Sequence, residues 1–194
     1  MGVVFHAEDP QLGRKVAIKA ILPRYARNPN ARQRFIREAR AAAGLKHDNI
    51  VAIYQVGEDR GAPFLAMEFR EGEPLDNRIR REGRLPLAEG LRIGRETALG
   101  LAAAHARGLV HRDIKPANLW LEASPGSQPG EFHVKILDFG LARATSDQAI
   151  LTHSGMIVGS PAYMAPEQTG GKPVDPRCDL FSLGGLLYLL CSGQ

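Results

Sequence analysis

His111-Arg112-Asp113-Ile114-Lys115-Pro116-Ala117-Asn118 puts an imidazole, two cations, a carboxylate and an amide into eight residues. Pro116 has no amide hydrogen and disfavours a helical conformation at Lys115, so the segment reads as a stiff loop. A stiff loop can aim a carboxylate, an ammonium and an amide oxygen at one point. Asp113 can accept a proton there. Lys115 can stabilise anionic oxygens, and Asn118 can ligate a hard cation through its carbonyl. A turn with solvated charges would account for an isolated His-Arg-Asp. Lys115 and Asn118 at these spacings argue for more than that.

Downstream, Leu119–Leu121 and Val134–Leu137 form an expected hairpin, joined through the Pro- and Gly-rich loop 124–130. Asp138-Phe139-Gly140 follows at the strand end, which by itself is turn chemistry. Leu141 to Tyr163 is long, polar and interrupted by glycine. It closes on Gly159-Ser160-Pro161-Ala162-Tyr163-Met164-Ala165-Pro166-Glu167. Asp179 then opens an apolar run, Leu180–Cys191, and suits the positive end of a helix dipole. That run is apolar nearly all round, as a helix buried on every side should be.

Upstream, Leu87–Ala106 has a helical stripe of Leu91, Gly94, Ala98, Leu101, Ala102 and His105, ended by Gly108. His105 reads as a half-buried helix residue, not a ligand. Leu75–Glu82 is a short basic helix. Asn49–Val56 and Pro63–Phe69 read as strands around Glu58-Asp59-Arg60-Gly61. Asn28-Pro29-Asn30 starts a helix, Ala31–Ala43, with Phe35, Ala39 and Ala42 on one face and Gly44 after its end. Glu38 lies beside that face, where it can pair with Arg34. The first two strands, Met1–Ala7 and Val16–Ile21, flank the turn Asp9-Pro10-Gln11-Leu12-Gly13. Lys19 sits in the second strand, where a lone ammonium is costly unless it is paired or reaches solvent from the edge.

Together these motifs resemble the protein kinases, specifically bacterial-type Ser/Thr kinases, with the loop in the form H-R-D-x-K-P-x-N. The resemblance runs along the whole chain and implies an α+β, two-lobed protein-kinase-like fold. Residues 1–69 would form the partial N-lobe, a small antiparallel sheet plus one helix on the ATP side. Residues 70–194 would form the mainly helical partial C-lobe. It implies transfer of the ATP γ-phosphoryl group to protein Ser or Thr hydroxyls. Asp113 would accept the hydroxyl proton and Lys115 would stabilise the moving phosphoryl. Lys19, in Val16-Ala17-Ile18-Lys19, would grip the ATP phosphates and pair with Glu38. Asn118 and Asp138 would bind Mg²⁺. Gly2, Val4, Ala17, Met67, Glu68, Arg70 and Trp120 would surround the nucleotide, with Met67 as gatekeeper, although a Met at a strand end also suits simple core packing. Trp120 replaces a smaller aliphatic residue, so it would stack on the base or crowd it. Asp179 would brace the catalytic loop. Thr152 and Ser154 are candidate phosphorylation sites facing Arg112.

The family pattern continues beyond both ends of this sequence, so both lobes are expected to be incomplete. Taken alone, Met1–Gln194 should expose an apolar patch on Leu180–Cys191 and have weak activity, unless a partner or a second copy covers the patch. A catalytically inactive kinase-like binding module is the rival reading. The intact catalytic set speaks against it.

Composition fits these readings. The 194 residues are 44% hydrophobic and 24% charged, enough for a core. The formal charge of +4 is mildly basic, but no aromatic-interleaved basic motif accompanies it, so no nucleic-acid partner is expected. Cys178 and Cys191 have no metal-ligand spacing, and two thiols suit a cytoplasmic protein. Leu180–Cys191 is far shorter than the roughly 20 residues of a spanning helix, so no membrane contact is expected within this segment.

Overall fold

Asp9 folds the chain back on itself at the first turn. Its Oδ1 accepts the amides of Gln11 and Leu12 at 3.1 and 3.2 Å, and its carbonyl accepts that of Gly13 at 2.8 Å. The turn joins β1 (Gly2–Asp9) to β2 (Arg14–Ile21). The structure, a computed structural model, describes residues 2–22, 26–123, 131–139, 161–169 and 173–193. Gly140, the segment 141–160 with Thr152 and Ser154, and the loop 124–130 lie outside the described residues.

Next comes α1 (Pro29–Ala43). Asn28 caps it through Oδ1, which accepts Asn30 N–H at 3.0 Å and Ala31 N–H at 3.3 Å. A cap of this kind is worth about 1 kcal/mol. The helix buries Phe35 and Ala39 against Ile21 and Leu65 of the sheet. β3 (Ile53–Asp59) and β4 (Ala62–Glu68) close on Arg60 and Gly61, both at positive φ, the two-residue turn that matches strand twist. All pairs are antiparallel, in the order β1-β2-β4-β3.

The strand expected from Asn49 begins only at Ile53. Residues 49–51 are used elsewhere. Asn49 O accepts Ile136 N–H at 2.8 Å and Ile136 O accepts Val51 N–H at 3.1 Å. This short parallel bridge joins the first sheet to a second one. The second sheet contains β5 (Gly72–Pro74), β6 (Leu119–Glu122) and β7 (His133–Ile136) in that order. Gly72, at φ 143°, is pressed so close that a Cβ would lie 2.0 Å from Leu121 O.

α2 (Leu75–Glu82) and α3 (Leu87–His105) pack against this second sheet, α5 (Arg177–Ser192) packs on α3, and the one-turn helix α4 (Pro166–Thr169) lies between α3 and α5 in the chain. The buried face of α3 is not the expected stripe. Leu91 is 55% exposed, whereas Gly90, Ile93, Gly94, Thr97, Gly100, Leu101 and Ala104 are buried. Periodicity gives weight to large apolar residues, but glycines form this seam. A Cβ at Gly94 would sit 2.3 Å from Leu187 Cδ2, so glycine sets how closely α5 approaches.

α5 carries the exposed apolar patch expected on Leu180–Cys191. Cys178, Asp179, Ser182, Leu183, Leu186 and Leu190 are buried, while Leu180, Phe181 and Tyr188 are 50–63% exposed. Its apolar run therefore has one covered face and one bare face. Among the described residues, no helix is long and apolar enough to cross a membrane.

Candidate active site

The loop 111–118 is held from below by one carboxylate. Asp179 is fully buried. Its Oδ2 accepts the His111 amide and His105 Nε2, both at 2.8 Å, and its Oδ1 accepts the Arg112 amide at 2.6 Å. His105 is thus a half-buried structural residue, in keeping with its helix position. Arg112 has φ 68°, a conformation that a side chain with a Cβ seldom takes and that surrounding bonds must maintain.

His111 fixes the other side of the loop. Its Nε2 donates to Leu137 O at 2.7 Å, and its Nδ1 accepts the Asp113 amide at 3.2 Å. With Nδ1 accepting, Nε2 is the ring nitrogen that donates. Phe139 meets the ring edge-on, with centroids 4.8 Å apart. One imidazole therefore ties the backbone of Asp113 to the strand end that carries Asp138.

Asp113, Lys115 and Asn118 converge. Lys115 Nζ donates to both Asp113 oxygens, at 2.9 and 2.8 Å. Pro116–Asn118 forms a single 3₁₀ turn that brings Asn118 back. The Asn118 amide nitrogen donates to Asp113 O at 2.7 Å and to Asp113 Oδ2 at 2.9 Å. With the nitrogen so engaged, the carbonyl oxygen is what Asn118 offers to a cation.

Across the cleft, Lys19 Nζ lies 2.5 Å from Asp138 Oδ2. Asp138 has φ 61°, the second strained residue of the site. The ammonium thus finds its carboxylate partner at the end of β7. The pairing expected from sequence was with Glu38 on α1. Directly opposed residues on neighbouring strands share a sheet face. Val4 opposes Lys19, and His6 and Met67 both oppose Ala17, while Gly2 opposes Ile21. Val4, Ala17 and Met67 therefore share the Lys19 face.

Glu68 and Arg70, expected to offer backbone to a base, have their side chains in a charge cluster that buries Glu68 and Lys135 and leaves Arg70 half exposed. Glu68 accepts Ala52 N–H at 2.8 Å, Arg70 Nε at 2.8 Å and Lys135 Nζ at 3.0 Å. Arg70 also reaches Glu122 at 3.0 Å. Burial pushes the Glu68 carboxyl up, but the Ala52 amide, Arg70 and Lys135 outweigh it and hold it below its usual range. A carboxyl depressed on folding adds stability that is present above its unfolded pKa. That stability is lost as pH falls through the folded value. Glu68→Gln should therefore flatten the acid side of the stability curve, below the ordinary carboxylate range, in denaturant unfolding from pH 7 downward. An unchanged acid limb would contradict this.

Trp120 lies in β6 opposite Pro74 and Lys135, and its indole nitrogen is close against Gly72. Sequence reading passes over Lys135, although an ammonium inside Val134-Lys135-Ile136 is the same signal that singles out Lys19. It also passes over Gln168, for which no local signal exists. Cys178 is fully buried, and burial, then the neighbouring Asp179, pushes its thiol up to about 12.

The donor set fits the expected ligands. Asp138 and Asn118 offer hard oxygens suited to a divalent cation, and Lys19 offers a cation to phosphate.

The protein kinase domain family model matches residues 1–194. The chain is 41% identical over 196 residues to Serine/threonine-protein kinase Pkn1 of Myxococcus xanthus, covering all of this chain and 27% of that protein. It is 40% identical over 199 residues to Serine/threonine-protein kinase PknA of Mycobacterium tuberculosis, covering all of this chain and 44% of the relative. It thus spans less than half the length of these curated relatives. The crystal structure of the M. tuberculosis PknI kinase domain superposes with a TM-score of 0.77 at 32% identity, covering all of this chain and 70% of that one. A match along every residue, agreeing in sequence and in fold, places this chain in the protein kinase family.

Proposed function

We propose that this chain is the catalytic part of a protein Ser/Thr kinase that uses ATP and Mg²⁺. The observation that supports it best is the hydrogen-bonded cluster of Asp113, Lys115 and Asn118, facing the Lys19–Asp138 pair. The acceptor hydroxyl oxygen forms a bond to the γ-phosphorus, and the bond from that phosphorus to the β–γ bridging oxygen breaks. The hydroxyl proton goes to Asp113, and ADP leaves. Lys115 lies on Asp113 and would neutralise charge on the moving phosphoryl group. Positioning and charge neutralisation supply most of such a rate.

Mg²⁺, when bound, neutralises the phosphate oxygens, and Asp138 and Asn118 would hold it. Lys19 would then serve the phosphates, steadied by Glu38. Gly2, Val4, Ala17 and Met67 would line the nucleotide, with the backbone at Glu68 and Arg70 along the base edge and Trp120 beneath. The partner is a protein bearing Ser or Thr. The inactive binding-module reading has no observation in its favour.

Lys19→Met tests the nucleotide half of this reading. The full chain should gain thermal stability with Mg-ATP, and the variant should lose most of that gain together with its phosphotransfer. A variant that keeps both would overturn the role of Lys19 and the nucleotide site built around it.

A further inference from the structure

Arg112 is strained, and it immediately precedes Asp113. Its amide is held by Asp179 Oδ1 at 2.6 Å. Its carbonyl, which belongs to the peptide that leads into Asp113, accepts Gln168 Nε2 at 2.9 Å. The same side chain accepts the Ala165 amide on its Oε1 at 3.0 Å. Gln168 lies in α4, directly after Ala165-Pro166-Glu167, and is 56 residues from Arg112 in sequence. One amide group therefore joins the Ala165-Pro166-Glu167 segment to the peptide that aims the expected base.

We propose that Gln168 is a positioning residue for phosphotransfer. Its amide holds the Arg112–Asp113 peptide in its left-handed turn and fixes that turn relative to Ala165. This rests on the kinase reading above. A glutamine suits the task because Ala165 presents a donor and Arg112 an acceptor. Only a primary amide of this length answers both at neutral pH. A conformation that is costly by itself persists when bonds on both sides determine it. Asp179 supplies one side and Gln168 the other.

The test uses the full chain with Gln168→Met and Gln168→Glu. Methionine keeps the length and loses both hydrogen bonds. Its kcat should fall roughly tenfold, the effect of one lost hydrogen bond on the barrier. The KM for ATP should stay near wild type, and the melting temperature should fall modestly with the two lost hydrogen bonds. In Gln168→Glu, the ionised carboxylate can still accept from Ala165 but has no proton for Arg112 O, whereas the protonated carboxyl does. The turnover of Gln168→Glu relative to Gln168→Met should therefore rise as pH falls through the carboxylate range. Arg112, Asp113, Lys115, Glu167, Cys178 and Asp179 are the same in both variants, so their own contributions divide out of that ratio.

Hydrogen exchange over residues 109–118 should quicken in Gln168→Met, whether or not an acceptor is present. Wild-type turnover with an unmoved kcat in Gln168→Met, a pH-independent ratio or unchanged exchange would each overturn the proposal. Absence of turnover in the wild type would instead count against the kinase reading, and the exchange measurement would still decide the role of Gln168.

Discussion

Asp113→Asn will lower phosphotransfer by about 10²–10⁴-fold, the usual contribution of a positioned general base, and leave nucleotide binding within about twofold. Asparagine has nearly the same shape, and its oxygen can still accept from Lys115, so the 111–118 loop should keep its form. What it lacks is a basic oxygen for the hydroxyl proton. Nucleotide binding is assigned to Lys19, Asp138 and Asn118, and Lys19 and Asp138 engage each other across the cleft. The check is a steady-state rate with a Ser/Thr acceptor beside a nucleotide titration. Equal turnover in the two proteins would remove Asp113 from its role. Loss of nucleotide binding along with turnover would mean that Asp113 shapes the whole site.

Asp179→Ala is expected to destabilise the protein by about 3–5 kcal/mol, the range for removing one partner of a buried charged interaction. The aspartate is fully buried and accepts three N–H groups, from His105, His111 and Arg112. Alanine would leave all three facing a void, each a donor that costs about 1–3 kcal/mol when unmet. The strained turn at Arg112 would lose its anchor, so activity should vanish with stability. Asp179→Asn keeps one acceptor oxygen and should cost less. Denaturant midpoints measure both. A midpoint for Asp179→Ala within error of wild type would show that water or another group satisfies these donors, and that the loop does not depend on Asp179.

Much of this was legible in the sequence, for physical reasons. Asp9, Asn28 and Pro116 act within a few residues of themselves, so turns, caps and the stiff loop could be read locally. Strand and helix periods gave most elements to within a few residues. The exceptions arise where the decisive contact is remote. Asn49 leaves its expected strand because Ile136 takes its carbonyl. The buried face of α3 is set by how closely Leu187 and Leu190 approach Gly90 and Gly94, which no single-helix pattern reveals. Lys19 could be identified as needing a carboxylate. Its partner in the structure, Asp138, depends on a strained φ that composition does not encode. The charge cluster at Glu68 and the link from Gln168 to Arg112 span 67 and 56 residues, so local reading could not find them.

In the proposed reaction these residues move a phosphoryl group from ATP to a protein hydroxyl. The most direct measurement follows ADP and phosphoester together, using the full chain with Mg²⁺, ATP labelled at the γ-phosphate and a Ser/Thr-rich acceptor. Labelled phosphoserine or phosphothreonine should form in amounts equal to the ADP, and none should form in Asp138→Asn. ADP without phosphoester, or no product from a wild-type protein that binds Mg-ATP, would contradict the proposed reaction.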